Sequence, residues 1–273
     1  MSIVNLGYRE VLNRFDGYLD YLEEIKKIED KIEWEKAERE ATQKRKNEKL
    51  KKLQELIRWA DERNIREECI PRDIHKLQEM EILDLAGYGY RLKYLPDFIG
   101  ELQNIKKVFL QRNFFSEFPS CLANLKNIEV LDIGCGIICR DNSKLAYLPD
   151  WIGDLKNLTY LNLSGLGLRE LNPNICKLEN LVFLGLSYNK LREIPECIGK
   201  LKKLEQITLL ANELETLPRS LKNLDNLKGI TLNTNFKLYI EENELKEFQE
   251  FIQKEYKSIP GRFFMKIIKK IRK

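Results

Sequence analysis

Leu178-Glu-Asn-Leu181-Val-Phe-Leu184-Gly-Leu186-Ser-Tyr-Asn189-Lys-Leu191-Arg-Glu-Ile194-Pro195-Glu-Cys-Ile198-Gly199-Lys-Leu201 decides how this chain folds. Twenty-three residues on, Leu201, Leu204, Ile207, Leu209, Asn212, Leu214, Leu217, Pro218 and Leu221 fill the same slots. After 23 more come Leu224, Leu227, Ile230, Leu232 and Asn235. A fixed period of this length marks stacked repeats, each too small to bury its own apolar face.

Upstream the pattern persists with departures. One repeat reads Leu155, Leu158, Leu161, Leu163, with Leu166 in the Asn slot and Asn172-Pro173 displacing Leu-Pro. Before it come Leu125, Ile128, Leu131 and Ile133, then Gly136 in the Asn slot and an insertion around Ile137–Ser143. Earlier still are Leu102, Ile105, Val108, Leu110, Asn113, Phe115, Phe118 and Pro119, and a first strand over Met80–Leu85 with Tyr88 in the Asn slot. The segment LxxLxL alternates inward and outward residues, so it forms one short strand. Successive strands stack in parallel. The Asn turns the chain, and its amide bonds backbone groups that would otherwise be buried unpaired. Leu-Pro starts a return arm, because Pro fixes φ and donates no N–H.

These residues resemble the leucine-rich repeat superfamily from about Ile70 to Asn235. The form LxxLxLxxNxLxxLPxxIGxL is similar to that of Ras-suppressor-like, plant intracellular Ras-group and many bacterial leucine-rich repeat proteins. The resemblance implies an α/β repeat fold: a solenoid with a curved parallel sheet on its concave face. It also implies protein–protein recognition on that face and no intrinsic chemistry, although fold alone does not fix function.

Helical regions flank the repeats. In residues 8–32, Val11, Phe15, Tyr18, Leu22 and Ile25 make a near-heptad stripe, which either packs on a neighbour or forms a coiled-coil seam for self-association. Residues 33–49 are almost all polar, with Glu35/Arg39, Glu40/Lys44 and Glu48/Lys52 at i,i+4, so they read as a solvated helix or a turn near Thr42–Asn47. Residues 48–63 form a second amphipathic helix that caps the first repeat. The organisation is therefore 1–47 helical, 48–76 cap helix and half-repeat, 77–238 repeats, 239–259 C-terminal cap helix and 260–273 basic amphipathic tail. Phe263, Phe264, Ile267, Ile268 and Ile271 of the tail share one helical face opposite Lys266, Lys269, Lys270, Arg272 and Lys273. Such a segment docks on an anionic membrane or a partner, folds back on the last repeat, or is disordered.

The outward strand positions fall into columns. Within them Phe109, Tyr160, Phe183, Tyr188 and Leu210 are large apolar or aromatic residues outside the core, with Lys107, Arg112 and Asp132 beside them. Aromatics and Arg dominate interface energetics, so these eight are the candidate partner site. Ile137, Ile138 and Arg140 of the insertion form a second candidate, a rim loop, or else a tolerated surface loop.

Composition narrows the function. The net charge is +4, and the six basic residues of Arg262–Lys273 leave the rest near −2, so the body has no nucleic-acid footprint. No apolar run reaches the ~18–20 residues of a membrane span. The start lacks a secretory h-region. The six cysteines lack a framework spacing, so free thiols and a reducing cytoplasm are expected, with leaderless delivery into a host as the other option. The single histidine, His75, is in no recognisable triad; Cys135 and Cys139 have no second pair for zinc; the GxG pairs Gly87/Gly89 and Gly165/Gly167 lack the rest of a nucleotide-binding motif. No enzyme, cofactor or metal is expected. The reading is a non-enzymatic interaction or scaffold module, and the resemblance implies a role in signal transduction. The alternatives are a regulatory or assembly subunit whose N-terminal helices oligomerise, through residues 8–32 as a homo-oligomer, or hold an enzyme partner, and a membrane-peripheral protein acting through residues 262–273.

Overall fold

A computed structural model describes residues 3–87, 91–135 and 145–232, with Thr234, Asn235 and Leu238, and gives side chains from residue 23 onward. Tyr88, the insertion with Ile137, Ile138 and Arg140, the expected C-terminal cap helix and the basic tail lie outside the described residues.

The chain divides into two compact units, Met1–Lys52 and Leu53–Lys273. The first is carried by helix α1, which runs unbroken over Ile3–Glu62. The choice between one helix and a hairpin is thereby settled as one helix. No Gly or Pro interrupts residues 33–49, and Glu35 pairs with Arg39 at 3.8 Å. The exposed polar stretch is helical without needing a partner surface. No described helix is long and apolar enough to cross a membrane.

In the second unit every repeat contributes one strand of three residues. β1 (Ile82–Asp84), β2 (Lys107–Phe109), β3 (Val130–Asp132), β4 (Tyr160–Asn162), β5 (Phe183–Gly185), β6 (Gln206–Thr208) and β7 (Gly229–Thr231) form one parallel sheet in sequence order. The middle residue of each strand from β1 to β6 is buried. This is the inward/outward alternation that LxxLxL demands. Six 3-10 segments among the described residues carry the return arms, from Asp97–Glu101 to Arg219–Asn223, five of them preceded by Pro. Their apolar residues meet the strand leucines in one continuous core. Leu53, Leu56, Trp59 and Ala60, from the end of α1, join that core and close its first layer. Arg63 lies over both the Trp59 and Tyr94 rings, at 5.1 and 5.2 Å, and bonds the Tyr94 hydroxyl.

Two ladders of asparagines tie the turns. In the inner one, Asn113, Asn189, Asn212 and Asn235 each donate to a carbonyl of their own turn and one of the preceding turn, and accept a backbone N–H. The outer one does not follow from the LxxLxLxxN spacing. Asn104, Asn127, Asn157, Asn180 and Asn226, just before β2, β3, β4, β5 and β7, donate to carbonyls of the preceding turn at 2.7–3.0 Å. Its signal is the Asn recurring two residues after the Leu that opens five of the repeats; Lys203 holds that slot before β6.

The expectation of free thiols is corrected. Cys176 and Cys197 form a disulfide with Cα atoms 5.8 Å apart, and Cys135 is also disulfide-bonded. Cys69 and Cys121 are buried, and Cys121 carries a free thiol. Repeat geometry explains the Cys176–Cys197 bond. Cys176 stands in the slot that Gly153 and Gly199 hold in neighbouring turns. A Cβ on Gly199 would come within 2.7 Å of Ser220 Cβ, and one on Gly153 within 3.0 Å of Asn174 Cβ, each 21 residues on. The same offset leads from Cys176 to Cys197. A side chain in that slot therefore meets the next turn, and here both partners are cysteine. The thiol of Cys121 is pushed up to about 12, by burial first and by Asp97 second.

Candidate partner-binding face

The outward residues of the strands line a face that the leucine core leaves uncovered. Lys107 and Phe109 lie on β2, Asp132 on β3, Tyr160 on β4 and Phe183 on β5. The register sets Phe109 beside Asp132, Asp132 beside Asn162, and Tyr160 beside Phe183. Paired residues on neighbouring strands are about 4.8 Å apart, close enough for rings to touch. The Tyr160 and Phe183 rings are stacked, with centroids 4.5 Å apart and planes 8° from parallel.

Arg112 and Tyr188 are exposed and sit in the turn just after the strand, where the backbone is left-handed. Their φ values are 66° and 59°; Ala211 and Thr234 share the slot and the conformation. Glycine accepts that conformation freely and other residues at a cost. Leu210 is half-buried, and its carbonyl accepts the Tyr188 N–H at 2.7 Å. The candidates thus fall into three groups. Phe109, Asp132, Tyr160 and Phe183 form a central cluster; Tyr188 and Leu210 flank it, as does exposed Lys107, beside Val130 on β3; Arg112 stands apart, its stem beside Gly87.

Asn162 is the residue the candidate set missed. Its Nδ2 donates to Asp132 Oδ1 and its Oδ1 accepts the Ser164 N–H, at 3.0 and 3.1 Å. Gly134 and Gly185 leave the room it occupies: a Cβ on either would come within 2.8 or 2.5 Å of the amide. The one signal available was its place in the column of Asp132, one repeat later. Neither aromatic nor charged, it offered no other. Asp132 Oδ1 also accepts the Gly134 N–H at 3.0 Å. Burial raises the Asp132 carboxyl above its ordinary range, against the opposing pull of those two donors. Tyr160 is likewise raised, by burial first and by the Asp132 charge second.

His75 is exposed on α2 (Ile74–Glu79), whose first turn is capped by Asp73 accepting the Lys76 N–H at 2.9 Å. Among the described residues no group of three His, Cys, Asp or Glu is placed to hold a metal ion.

A single-file parallel sheet, a leucine core and an asparagine ladder define the leucine-rich repeat fold, and this chain has it. A family model described as "Leucine-rich repeat region" matches residues 137–257. The mouse leucine-rich repeat and calponin homology domain-containing protein 1 is 32% identical over 95 residues, 35% of this chain and 12% of that protein. This chain therefore spans about an eighth of that relative. Among solved structures, a leucine-rich repeat protein of Leptospira interrogans superposes with TM-score 0.57 at 29% identity, over 68% of this chain and 50% of that one. The Arabidopsis receptor kinase HAESA, in complex with the peptide hormone IDA and a co-receptor, gives 0.50 at 26% identity, over 60% and 29%.

Proposed function

We propose that this protein is a non-enzymatic interaction module that binds a protein segment across the open face of its sheet. The observation that carries this is the Tyr160–Phe183 stack, half-buried on a face with no core duty. Aromatic anchors beside a polar group are what interface cores are made of. The HAESA structure, with its bound peptide hormone, is a precedent at the level of fold. Phe183→Ala and Phe109→Ala are expected to abolish partner capture while shifting Tm by no more than a few degrees. Capture that survives both variants rules the face out.

A second reading rests on α1. Ile28, Ile32 and Trp34 are 57%, 60% and 63% exposed, which is costly for a helix that acts alone. They support self-association through residues 8–32. The Cys176–Cys197 bond removes the thiol argument for a reducing compartment, and fits an oxidising one better.

A further inference from the structure

Asp132 is held as a recognition group is held. Its Oδ1 takes two donors, Gly134 N–H and Asn162 Nδ2, and Asn162 is itself fixed by Ser164 and wedged between two glycines. Its Oδ2 receives no hydrogen bond from the described residues, and no Lys or Arg among them pairs with it. The described ion pairs of the second unit, such as Lys106–Glu81 and Lys228–Glu205, lie elsewhere. Along β3 to β6 the outward residues are Val130, Asp132, Tyr160, Asn162, Phe183, Gly185, Gln206 and Thr208. Asp132 is the single charge in that set. In the neighbouring column two residues past β2, Gln111 Oε1 is buried without a donor as well.

A half-buried carboxylate with no counterion is costly unless a cation arrives to match it. Here the cation would also meet the face of a stacked aromatic pair. A guanidinium fits both demands, because it is planar, stacks on rings and carries five donors, enough for Asp132 Oδ2 and, once its side chain turns, Gln111. We infer that the open face takes an extended polypeptide segment that lays an arginine side chain against Tyr160 and donates to Asp132. The inference rests on the proposal that this face is the binding face.

The test pans a displayed library of random dodecapeptides on the full chain. The best peptides are then synthesised and titrated against wild type, Asp132→Asn and Phe183→Ala. Asp132→Asn keeps an oxygen for both fixing donors, so thermal melting should show it folded. The expected result is arginine at one shared position. Citrulline there, or Asp132→Asn, should each weaken binding about tenfold, and the two together little more than either. Peptides that depend on Phe183 but carry no shared arginine, or ignore Asp132→Asn, leave the face standing and overturn the arginine. Binding indifferent to Phe183→Ala, or no enrichment over bare support, overturns both.

Discussion

Asn189 uses its whole hydrogen-bonding capacity on backbone. Its Oδ1 accepts from Leu166 and Leu168, and its Nδ2 donates to the carbonyls of Leu163 and Leu186, all within 3.1 Å. It is buried, so Asn189→Ala strands three backbone groups away from water, the N–H groups of Leu166 and Leu168 and the Leu163 carbonyl, while the Leu186 carbonyl keeps the Asn212 amide. At ~1–3 kcal/mol for an unsatisfied buried group, partly relaxed, the loss is expected to reach about 3 kcal/mol or more in urea unfolding. Asn180, in the outer ladder, makes one backbone bond at a partly exposed site, and Asn180→Ala should cost under ~1 kcal/mol. Asp132 makes a prediction with the opposite sign. Its carboxyl is raised above the ordinary 3.8 in the folded state. The folded chain therefore holds that proton more tightly than the unfolded chain, and stability falls as pH rises through the range just above 3.8. Asp132→Asn removes the titration. Melts across pH 3 to 7 should show the variant gaining on wild type as pH rises; a constant gap would show that burial of the charge is not the cause. The leucines and the inner asparagines were legible from spacing alone. Asn162 was not, because its role depends on what stands beside it one turn away.

At the scale of the element, the 3-10 return arms show how a repeat tolerates exchange. The slot of Gly153 and Gly199 abuts the next turn, so most side chains do not fit there. Cys176 fits by bonding to its neighbour. Glu196 joins the same two-turn stitching: its carboxylate accepts the N–H groups of Arg219 and Ser220 at 2.9 Å. Burial works against its charge, yet those donors hold its carboxyl below the usual range. Closing a loop of 21 residues restricts the unfolded chain, a contribution of about 3 kcal/mol. Reduction should lower the urea midpoint accordingly, and Cys197→Ser should match reduced wild type. An unchanged midpoint would mean that the thiols are free in solution. The bond was hidden in the sequence because its spacing of 21 is offset from the repeat of 23, and only adjacent turns bring the two slots together.

Over the whole molecule, the seven turns act as neighbours in a row, each stabilised by the next. The N-terminal end of that row is closed by Leu53, Leu56, Trp59 and Ala60, which belong to the end of α1. Residues 1–52, the earlier part of α1, make up the other compact unit. Removing residues 1–45 should therefore leave the melting of the repeats within a few degrees of wild type. If Ile28, Ile32 and Trp34 face a second copy, the same deletion should halve the mass seen by light scattering. A monomer before and after would end the self-association reading.

The sequence by itself determined the repeat, its period, the inward leucines and the turn asparagines, because each follows from spacing along the chain. The eight candidate contact residues were also readable as outward positions. Three things were decided only by tertiary structure. They are the stacking of Tyr160 on Phe183, the fixing of Asp132 by Asn162, and the bond between Cys176 and Cys197. Each joins residues 21 to 30 positions apart. Their contact depends on how neighbouring turns align, which a single repeat does not record.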